Sequence, residues 1–254
     1  TVAAGTGETQ AMTAIGIIGS QGRMGHAIRA ELEAKGIPCA GGVDRGEGAL
    51  AELIPMSDVL IDFSAPVALK ASLDACIAAN RPLVVGTTGL EAEHHYLIDE
   101  AARSIPVLQT GNMSLGVNLL AALVEDAARR LGDDWDIEIV EMHHRHKVDA
   151  PSGTALLLGE AAARGRSIAL ADHSERGRDG ITGARARGAI GFASLRGGSV
   201  AGDHQVIFAT DDERIELGHR AENRVIFARG AVKAALWLAG QKPGRYDMKS
   251  VLGL

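Results

Sequence analysis

The stretch that decides the fold is Ala14-Ile15-Gly16-Ile17-Ile18, followed at once by Gly19-Ser20-Gln21-Gly22-Arg23-Met24-Gly25. The first five residues predict a short buried strand, and Met24, Ile28 and Leu32 then recur four residues apart, as on one face of a helix. Strand, glycine turn and helix in this order indicate a dinucleotide-binding unit, because glycines let the backbone approach a pyrophosphate at the helix start. The spacing Gly-x-x-Gly-x-x-Gly departs from the usual pattern, so a tight turn without a ligand remains the alternative.

The next predicted strand, residues 37–43, ends in Asp44-Arg45. This pair follows the glycines by about twenty residues, the distance at which an acid that binds the ribose is expected. Asp44 can accept hydrogen bonds from ribose hydroxyls and Arg45 can bind a 2′-phosphate, so NADPH or NADH is the predicted cofactor. The candidate cofactor residues of this region are Gly19, Ser20, Gln21, Gly22, Arg23, Met24, Asp44 and Arg45.

Strands and helices continue to alternate beyond this point. Strands are predicted over 59–61, 83–85 and 106–109, and helices over 66–79 and 91–103, the former with Leu69, Leu73 and Ile77 on one face. Such repeats predict a doubly wound parallel sheet, whose ligands bind beyond the carboxyl ends of the strands. We assign the loops after two strands to the nicotinamide half of the cofactor. Their residues are Gly86, Thr87, Thr88, Thr110, Gly111, Asn112 and Met113.

A second motif, His143-His144-Arg145-His146-Lys147, leads into Pro151-Ser152-Gly153-Thr154, which is typical of a helix start. A strand over 136–142 precedes it, and we predict that this strand ends by His143. On a regular strand His143 and His144 would face opposite sides and could not reach one ligand. The following helix, capped by Ser152 or Thr154, offers free N–H groups to an anion. The sequence therefore predicts a site for a small dianion.

Two other interpretations of this motif are open. A run of charge is usually a solvated face, although such runs rarely combine three histidines with a helix cap. His144 and His146 could instead bind a metal ion, since their spacing puts both on one face of a strand. No cysteine lies nearby and Glu141 and Asp149 complete a poor ligand set, so we predict no metal.

The second half of the chain changes character after this motif. A helix is predicted over 114–131, with Leu119, Leu123, Ala127 and Leu131 on one stripe, and another over 225–239. Residues 184–200, 203–210 and 213–220 are β-rich and predict a mixed or antiparallel sheet in a separate substrate domain. Residues 187–194 are predicted to pair with another subunit, because an open sheet needs its edges covered, and hence we expect a homo-oligomer.

Composition sets further bounds on function. A formal charge of −6 over 254 residues argues against a general nucleic-acid binder. Cys39 and Cys76 are too few for a disulfide scaffold, and we expect both to be reduced core residues of a cytoplasmic protein. No apolar run has the length of a membrane span, so no membrane partner is expected. Residues 1–11 predict a disordered extension, with Met12 as a native start.

These motifs together resemble one family. The resemblance of the chain to this family lies in Gly19-x-x-Gly22-Arg23-Met24-Gly25, Gly86-Thr87-Thr88-Gly89, Asn112-Met113-Ser114, His143-His144-Arg145-His146-Lys147-x-Asp149-x-Pro151-Ser152-Gly153-Thr154-Ala155 and Tyr246-Asp247-Met248. In these motifs the chain is similar to 4-hydroxy-tetrahydrodipicolinate reductases of the diaminopimelate route to lysine. The resemblance implies an α/β protein, with a Rossmann-type doubly wound parallel sheet over 12–114, completed by 224–254. It also implies a smaller α+β domain with a mixed sheet over 115–223, for substrate binding and oligomerisation.

The resemblance further implies a homotetramer that transfers hydride from NADH or NADPH to an unsaturated cyclic dicarboxylate. His143 would be the catalytic acid/base and Lys147 the proton donor, while His144, Gly153 and Thr154 would contact the substrate. Two rival functions are a non-catalytic NAD(P)-binding sensor on the same fold and a metal-dependent hydrolase that uses the histidines. Neither explains the Pro-Ser-Gly-Thr helix start as well.

Overall fold

The computed structural model describes residues 13–45 and 49–254. The described chain divides into two compact units. One holds the described residues up to Gly111 together with Ala228–Asp247, and the other holds Asn112–Phe227 and Met248–Leu254. The domain boundaries predicted at 114/115 and 223/224 stay predictions, and the predicted extension over 1–11 lies outside the described residues.

The strands and helices follow the predicted alternation closely. In chain order they are β1 (Ile15–Ile18), α1 (Arg23–Lys35), β2 (Cys39–Val43), α2 (Leu50–Leu53), β3 (Val59–Asp62), α3 (Leu69–Ala78), β4 (Leu83–Val85), α4 (Ala92–Ala102), β5 (Pro106–Gln109), α5 (Leu115–Leu131), β6 (Asp136–His143), α6 (Gly153–Arg166), α7 (Leu170–His173), β7 (Ser174–Arg176), β8 (Ile190–Arg196), β9 (Asp203–Ala209), β10 (Arg214–Arg220), α8 (Val225–Leu238), β11 (Gly244–Tyr246) and α9 (Met248–Leu252).

The first unit is built on a parallel sheet, which has six strands within the described residues, in the order β11-β5-β4-β3-β1-β2. β1, β3 and β4 are buried along their whole length, which explains their continuous apolar runs. The chain runs outward from β1 to β2 and then returns to place β3 on the other side of β1. Ligands of such sheets bind where the strand order reverses, so the carboxyl ends of β1 and β3 mark the expected site. The predicted doubly wound sheet is confirmed.

The second unit contains a mixed sheet, in the order β10-β9-β6-β8-β7 among the described strands. β6 runs parallel to β8 and antiparallel to β9, and helices α5 and α6 cover one face of the sheet. Ile137 and Ile139 of β6 are fully buried on that face with Val206 and Phe208 of β9. The side chains of β6 and β9 alternate between buried and half-buried, as expected for a sheet with one covered face. The predicted mixed sheet is confirmed.

Two of the four residues in the apolar stripe predicted for α5 are exposed. Leu119 and Leu123 are 42% and 49% exposed, whereas Leu120, Val124 and Ala128 are buried. The helix has apolar residues on two faces, and the face with smaller side chains is the one that packs closely against α6 and the sheet. The two exposed leucines are therefore available to contact another molecule.

Three further expectations are corrected by the fold. Ile77 is 38% exposed, and Cys76 takes the buried position on α3. Cys39 is exposed, because it begins β2 at the edge of the sheet, so only Cys76 is a core thiol among the two. Within residues 187–194, Ile190, Gly191 and Phe192 do not supply a free edge, since they lie between β6 and β7. β10 and β7 are the edge strands of the mixed sheet.

Candidate active site

A cavity of about 540 Å³ opens in the first unit at the carboxyl ends of β1, β2 and β3. Gly19, Gln21 and Gly22 line it together with Asp44 and Arg45. The first three belong to the turn after β1, and the other two follow β2. The structure therefore brings both halves of the predicted nucleotide motif onto one cavity. The apolar lining includes Leu50, Phe63, Val67, Ala68 and Ala71.

The glycine turn leaves no room for side chains on its inner side. Gly19 has φ +81°, and a Cβ there would lie 2.6 Å from the carbonyl oxygen of Phe63. A Cβ on Gly25 would lie 2.5 Å from the carbonyl oxygen of Ser20. Helix α1 begins after Gly22, with no side chain capping its first turn. The turn therefore fits a ligand that approaches the backbone and the helix start, as a pyrophosphate does.

Asp44 is held in place at the rim of this cavity. Its carboxylate accepts hydrogen bonds from the backbone N–H groups of Gln21 (2.9 Å) and Arg45 (2.7 Å). These two bonds lower the pKa of Asp44 below its ordinary value, and the bond from Arg45 has the larger effect. An ionised acceptor in a fixed position is suited to ribose hydroxyls, and the exposed Arg45 side chain beside it can reach a phosphate.

The other predicted cofactor residues of the first unit are not among the residues that line this cavity. Ser20 is buried, Met24 is half-buried, and Arg23 is exposed in the first turn of α1. Gly86 packs against the ring of Phe63, where a Cβ would overlap the ring atoms. Thr87 is buried after β4, and Thr88 is exposed.

A buried carboxylate that the sequence analysis missed joins two of the predicted loops. Asp62 is fully buried, and its Oδ1 accepts bonds from the backbone N–H and the hydroxyl of Ser64 (2.8 and 2.6 Å). It also accepts a bond from Oγ1 of Thr87 (3.2 Å). Asp62 therefore fixes the loops after β3 and β4 to each other.

The loop after β5 crosses from one unit to the other. Thr110 is half-buried and Gly111 is exposed, and both belong to the first unit. Asn112 belongs to the second unit, where its Nδ2 donates to Oγ1 of Thr154 (3.0 Å) and its Oδ1 accepts from the N–H of Ser114 (2.9 Å). Asn112, predicted as a cofactor residue, thus touches a residue predicted for the substrate. Met113 is buried beside it.

The histidine motif begins where β6 ends. The strand covers Asp136–His143, and its pairing with β8 runs as far as His143 opposite Arg196. The N–H of His144 then bonds to the carbonyl of Val200 (2.8 Å), and the N–H of Lys147 bonds to the carbonyl of His144 (3.1 Å), which closes a turn. The prediction that the strand ends by His143 is confirmed.

His143 is buried and paired with a carboxylate. Its Nδ1 lies 2.6 Å from Oε2 of Glu141, which is itself 1% exposed. Arg196 donates to both oxygens of Glu141 at 2.8 Å. Burial acts to raise the pKa of Glu141, but the bonds from Arg196 and His143 outweigh it and lower the pKa to about 2. Glu141 is therefore ionised at neutral pH.

A second buried imidazole, His204, packs edge-on against His143. The ring centroids are 5.1 Å apart at an interplanar angle of 75°. Nε2 of His204 lies 3.1 Å from Oγ of Ser152. Burial lowers the pKa of His204 to about 4, with the His143 charge acting in the same direction, so His204 is neutral at pH 7.

A second hollow of about 750 Å³ in this unit is lined in part by His144, Arg145, His146, Glu222 and Arg224. Nη2 of Arg224 donates to Nε2 of His144 (3.2 Å). Burial, followed by the neighbouring Arg224, lowers the pKa of His144. The guanidinium therefore carries the charge of this pair. Lys147 lies nearby in sequence and binds both oxygens of Asp149 at 2.8 and 2.9 Å.

Helix α6 begins next to the buried histidine pair. Ser152 is its N-cap, and its hydroxyl accepts a bond from the N–H of Ala155 (3.1 Å), which confirms one of the two predicted caps. The backbone N–H of Ser152 also donates to Glu141 (3.2 Å). Gly153 is exposed, with open space where a side chain would stand, and Thr154 is half-buried. A carboxylate can therefore approach the first turn of α6, where N–H groups lack helical partners.

The sequence analysis missed the supporting residues of this site, Glu141, Arg196, His204 and Arg224. Glu141 was within reach of sequence reasoning, because residues two apart on a strand share a face. The others are more than fifty positions from His143 in sequence and required the register of the sheet. Among the described residues, no group of three or more His, Cys, Asp or Glu side chains could hold a metal ion. No described helix is long and apolar enough to cross a membrane.

A nucleotide cavity in one unit and a cationic site with a buried acid/base pair in the other define the class of dinucleotide-dependent oxidoreductases that act on small anions. Family models described as "Dihydrodipicolinate reductase, N-terminus" and "Dihydrodipicolinate reductase, C-terminus" match residues 13–113 and 116–252. The chain belongs to the dihydrodipicolinate (4-hydroxy-tetrahydrodipicolinate) reductase family. This confirms the predicted resemblance, the reductase activity and the use of NADPH or NADH.

Individual relatives agree with this assignment. A 4-hydroxy-tetrahydrodipicolinate reductase from Zymomonas mobilis subsp. mobilis is 58% identical over 246 residues, which cover 94% of this chain and 97% of the relative. One from Methylocella silvestris is 63% identical over 197 residues, covering 78% and 72%. The solved structure of a dipicolinate-bound dihydrodipicolinate reductase from Paenisporosarcina sp. TG-14 matches with a TM-score of 0.74 at 24% identity. The match covers 93% of this chain and 97% of that one, and confirms the fold.

Proposed function

We propose that this protein reduces 4-hydroxy-tetrahydrodipicolinate, a cyclic dicarboxylate, to tetrahydrodipicolinate, with His143 as acid/base and Lys147 as proton donor. The observation that carries the assignment of these roles is the buried Glu141–His143 pair beside the start of α6. It places a titratable group, a fixed negative charge and an anion-binding helix start within one compact unit.

The residues of the first unit fit a dinucleotide. The turn from Gly19 to Gly22 would hold the pyrophosphate, Asp44 the ribose, and Arg45 the 2′-phosphate when NADPH is bound. The loops that contain Gly86, Thr87, Thr88, Thr110, Gly111, Asn112 and Met113 would serve the nicotinamide half. The bound cofactor supplies the hydride.

The residues of the second unit bind the substrate and handle the proton. The open start of α6 at Gly153 and Thr154 would receive one carboxylate, and His144 with Arg224 would contribute polar and charged contacts. Reduction of a conjugated imine builds up negative charge that a proton must quench, and the ammonium of Lys147 is suited to donate it. Asp149 holds Lys147 by two bonds, so Lys147 must exchange this partner to reach the substrate.

The direct test is oxidation of NADPH, then NADH, by the purified protein. The substrate is made in place from pyruvate and aspartate semialdehyde by the preceding synthase. Loss of absorbance that depends on both substrate and enzyme is the expected result. Binding of either cofactor without turnover would instead favour the non-catalytic sensor. Bound metal in protein purified without added metal would favour the metal-dependent hydrolase.

The proposal extends to assembly, domain organisation and location. We expect a cytoplasmic homotetramer, in which residues 12–114 with 224–254 bind the nucleotide and residues 115–223 bind substrate and form the contacts between subunits. Leu119, Leu123, Leu195 and Ile215 support this, since all four are exposed apolar side chains of the second unit. Light scattering coupled to size exclusion should give four times the mass of the chain, and a monomer at all concentrations would contradict the assembly.

A further inference from the structure

Arg196 binds the carboxylate of the Glu141–His143 pair through both of its oxygens. We infer that Glu141, clamped by Arg196, is the positioning residue that fixes the tautomer and orientation of His143 for the reaction. The inference rests on the proposed role of His143 and adds two residues that act through it.

The geometry of β6 brings the carboxylate and the imidazole together. Glu141 and His143 are two residues apart, so both side chains project from the buried face of the strand. On the neighbouring strand β8, Arg196 lies directly opposite His143. Its guanidinium therefore reaches back to Glu141 and binds both carboxylate oxygens, in the two-pronged geometry that arginine favours.

Glu141 has its orientation set from several sides. Oε1 accepts bonds from Arg196 (2.8 Å) and from the backbone N–H of Ser152 (3.2 Å). Oε2 accepts from the other arm of Arg196 (2.8 Å) and lies 2.6 Å from Nδ1 of His143. Arg196 is itself tied to the carbonyl of Asp149 (2.6 Å). A carboxylate held in this way cannot rotate away from the imidazole without breaking bonds to buried groups.

The pairing determines which nitrogen of His143 carries a proton. An ionised carboxylate only accepts hydrogen bonds, so Nδ1 must be the donor. In the neutral ring, Nε2 then carries the lone pair that accepts a proton from a ligand, and Nε2 can give a proton only after the ring has been protonated there. Next to Nε2 lies the backbone of Gly202, where a Cβ would approach to 3.0 Å. A side chain at this position would crowd that nitrogen, and glycine avoids this contact.

The electrostatic surroundings of the imidazole come from four elements of the unit. The titratable and charged groups around it are Glu141 on β6, Arg196 on β8, His204 on β9, and His144, Lys147 and Asp149 in the segment after β6. Arg196 and Glu141 neutralise each other, and Lys147 is paired with Asp149. Glu141 is the carboxylate in direct contact with the ring.

The variant Glu141→Gln tests this inference, because it keeps the shape and removes the charge. We expect kcat to fall at least tenfold, a part of the roughly hundredfold or more that general acid–base catalysis contributes. The limb of the pH profile that reports the acid/base should move, because the carboxylate charge next to the ring is removed. Affinity for NADPH should not change, and the effect should fall on kcat rather than on KM.

A matched control lies on the same strand. Glu138 is also paired with arginines, Arg178 and Arg185, but it projects from the opposite face of β6. Glu138→Gln should leave the pH profile where it is. A change in KM alone for Glu141→Gln, or an unmoved pH limb, would overturn the inference, since a merely structural carboxylate would act only by loosening the start of α6.

The wild-type protein supplies a second measurement in case Glu141→Gln fails to fold. Nitrogen-15 NMR of labelled histidines, with the His143 signals assigned by their loss in His143→Gln, should show the neutral ring protonated on Nδ1. A ring protonated on Nε2 would overturn the inference. Full activity in His143→Gln would show instead that the proposed acid/base role is wrong, and the two failures are thereby distinguished.

Discussion

Lys147 is the residue whose chemistry is most directly open to test. Lys147→Ala should lower kcat by about a hundredfold or more, because the proton donor is lost, and should leave NADPH affinity nearly unchanged. Lys147→Arg keeps the positive charge but releases its proton far less readily, so KM should recover and kcat should not. Steady-state kinetics with both cofactors would measure this.

The first unit offers a matched control for Lys147. Lys70 forms an exposed pair with Asp74 at 2.6 Å, which resembles the contact between Lys147 and Asp149. Lys70→Ala should have no effect on turnover. Unaltered turnover in Lys147→Ala would remove Lys147 from the mechanism.

Arg45 is expected to distinguish the two cofactors. Its side chain is exposed beside the cavity, and Arg45→Ala should weaken NADPH binding by about tenfold or more while changing NADH little, because a guanidinium–phosphate contact is lost. Fluorescence titration with each cofactor measures the difference. Arg103→Ala, which removes an exposed arginine just after α4, is the control. Equal losses for NADPH and NADH would show that Arg45 does not contact the 2′-phosphate.

Residues were predictable from the sequence where function depends on local chain geometry. Asp44 and the glycines belong to one strand-helix-strand unit, β1 to β2, and His143 ends its strand, so spacing was sufficient to place them. His204 and Arg196 reach His143 through strand register, which no local pattern encodes. Cys39 was misplaced for a related reason, because the exposure of β2 depends on its position at the edge of the sheet.

Helix α6 is the element expected to bind a substrate carboxylate. Gly153 stands in its first turn with open space around it, so a side chain fits there without rearrangement. Gly153→Asp should raise KM for the dicarboxylate by about tenfold or more through charge repulsion, yet leave the helix intact, because an acid is favourable at a helix start. Kinetics and thermal unfolding should be measured together.

An uncharged variant of the same size separates charge from bulk at the start of α6. Gly153→Asn should raise KM much less than Gly153→Asp. Equal effects of the two substitutions would mean that steric hindrance, and not the charge of the bound group, determines the response.

Most elements of the first unit were predicted to within a few residues, although α2 and β11 were not predicted, while two assignments in the second unit failed. β3 and β4 are short, uniformly apolar and bounded by turns, which leaves little choice for their position. α5 carries apolar residues on two faces, so periodicity alone could not decide which face is buried. The small residues near β8 indicated close pairing, but composition does not tell whether a strand lies inside a sheet or at its edge.

The stability of the whole molecule should depend on pH through its buried histidine. The pKa of His204 is lowered to about 4, whereas the ordinary value is 6.5. Between these values the unfolded chain binds more protons than the folded one, so the free energy of unfolding decreases as pH falls from 6.5 to 4. The contribution is at most about 3 kcal/mol. Urea unfolding at fixed protein concentration across this range measures it.

His204→Gln should flatten that dependence, since the substituted side chain does not titrate. His26, which is exposed on α1, provides the matched control, and His26→Gln should leave the slope unchanged. A further loss of stability is expected between pH 4.5 and about 2, where Glu141 becomes protonated. Identical slopes in the wild type and His204→Gln would contradict the assignment to His204.

The central position of β6 has a consequence for how long the catalytic arrangement persists. β6 is bonded on one side to β8 and on the other to β9, so its amides can exchange with solvent only when the mixed sheet opens. Glu141 and His143 therefore belong to the slowest-exchanging part of this unit. Lys147 and Asp149 lie in the segment after the strand, outside that protection. The backbone that carries the acid/base is thus expected to open only with the sheet, whereas the backbone that carries its cationic neighbour is not held by strand pairing.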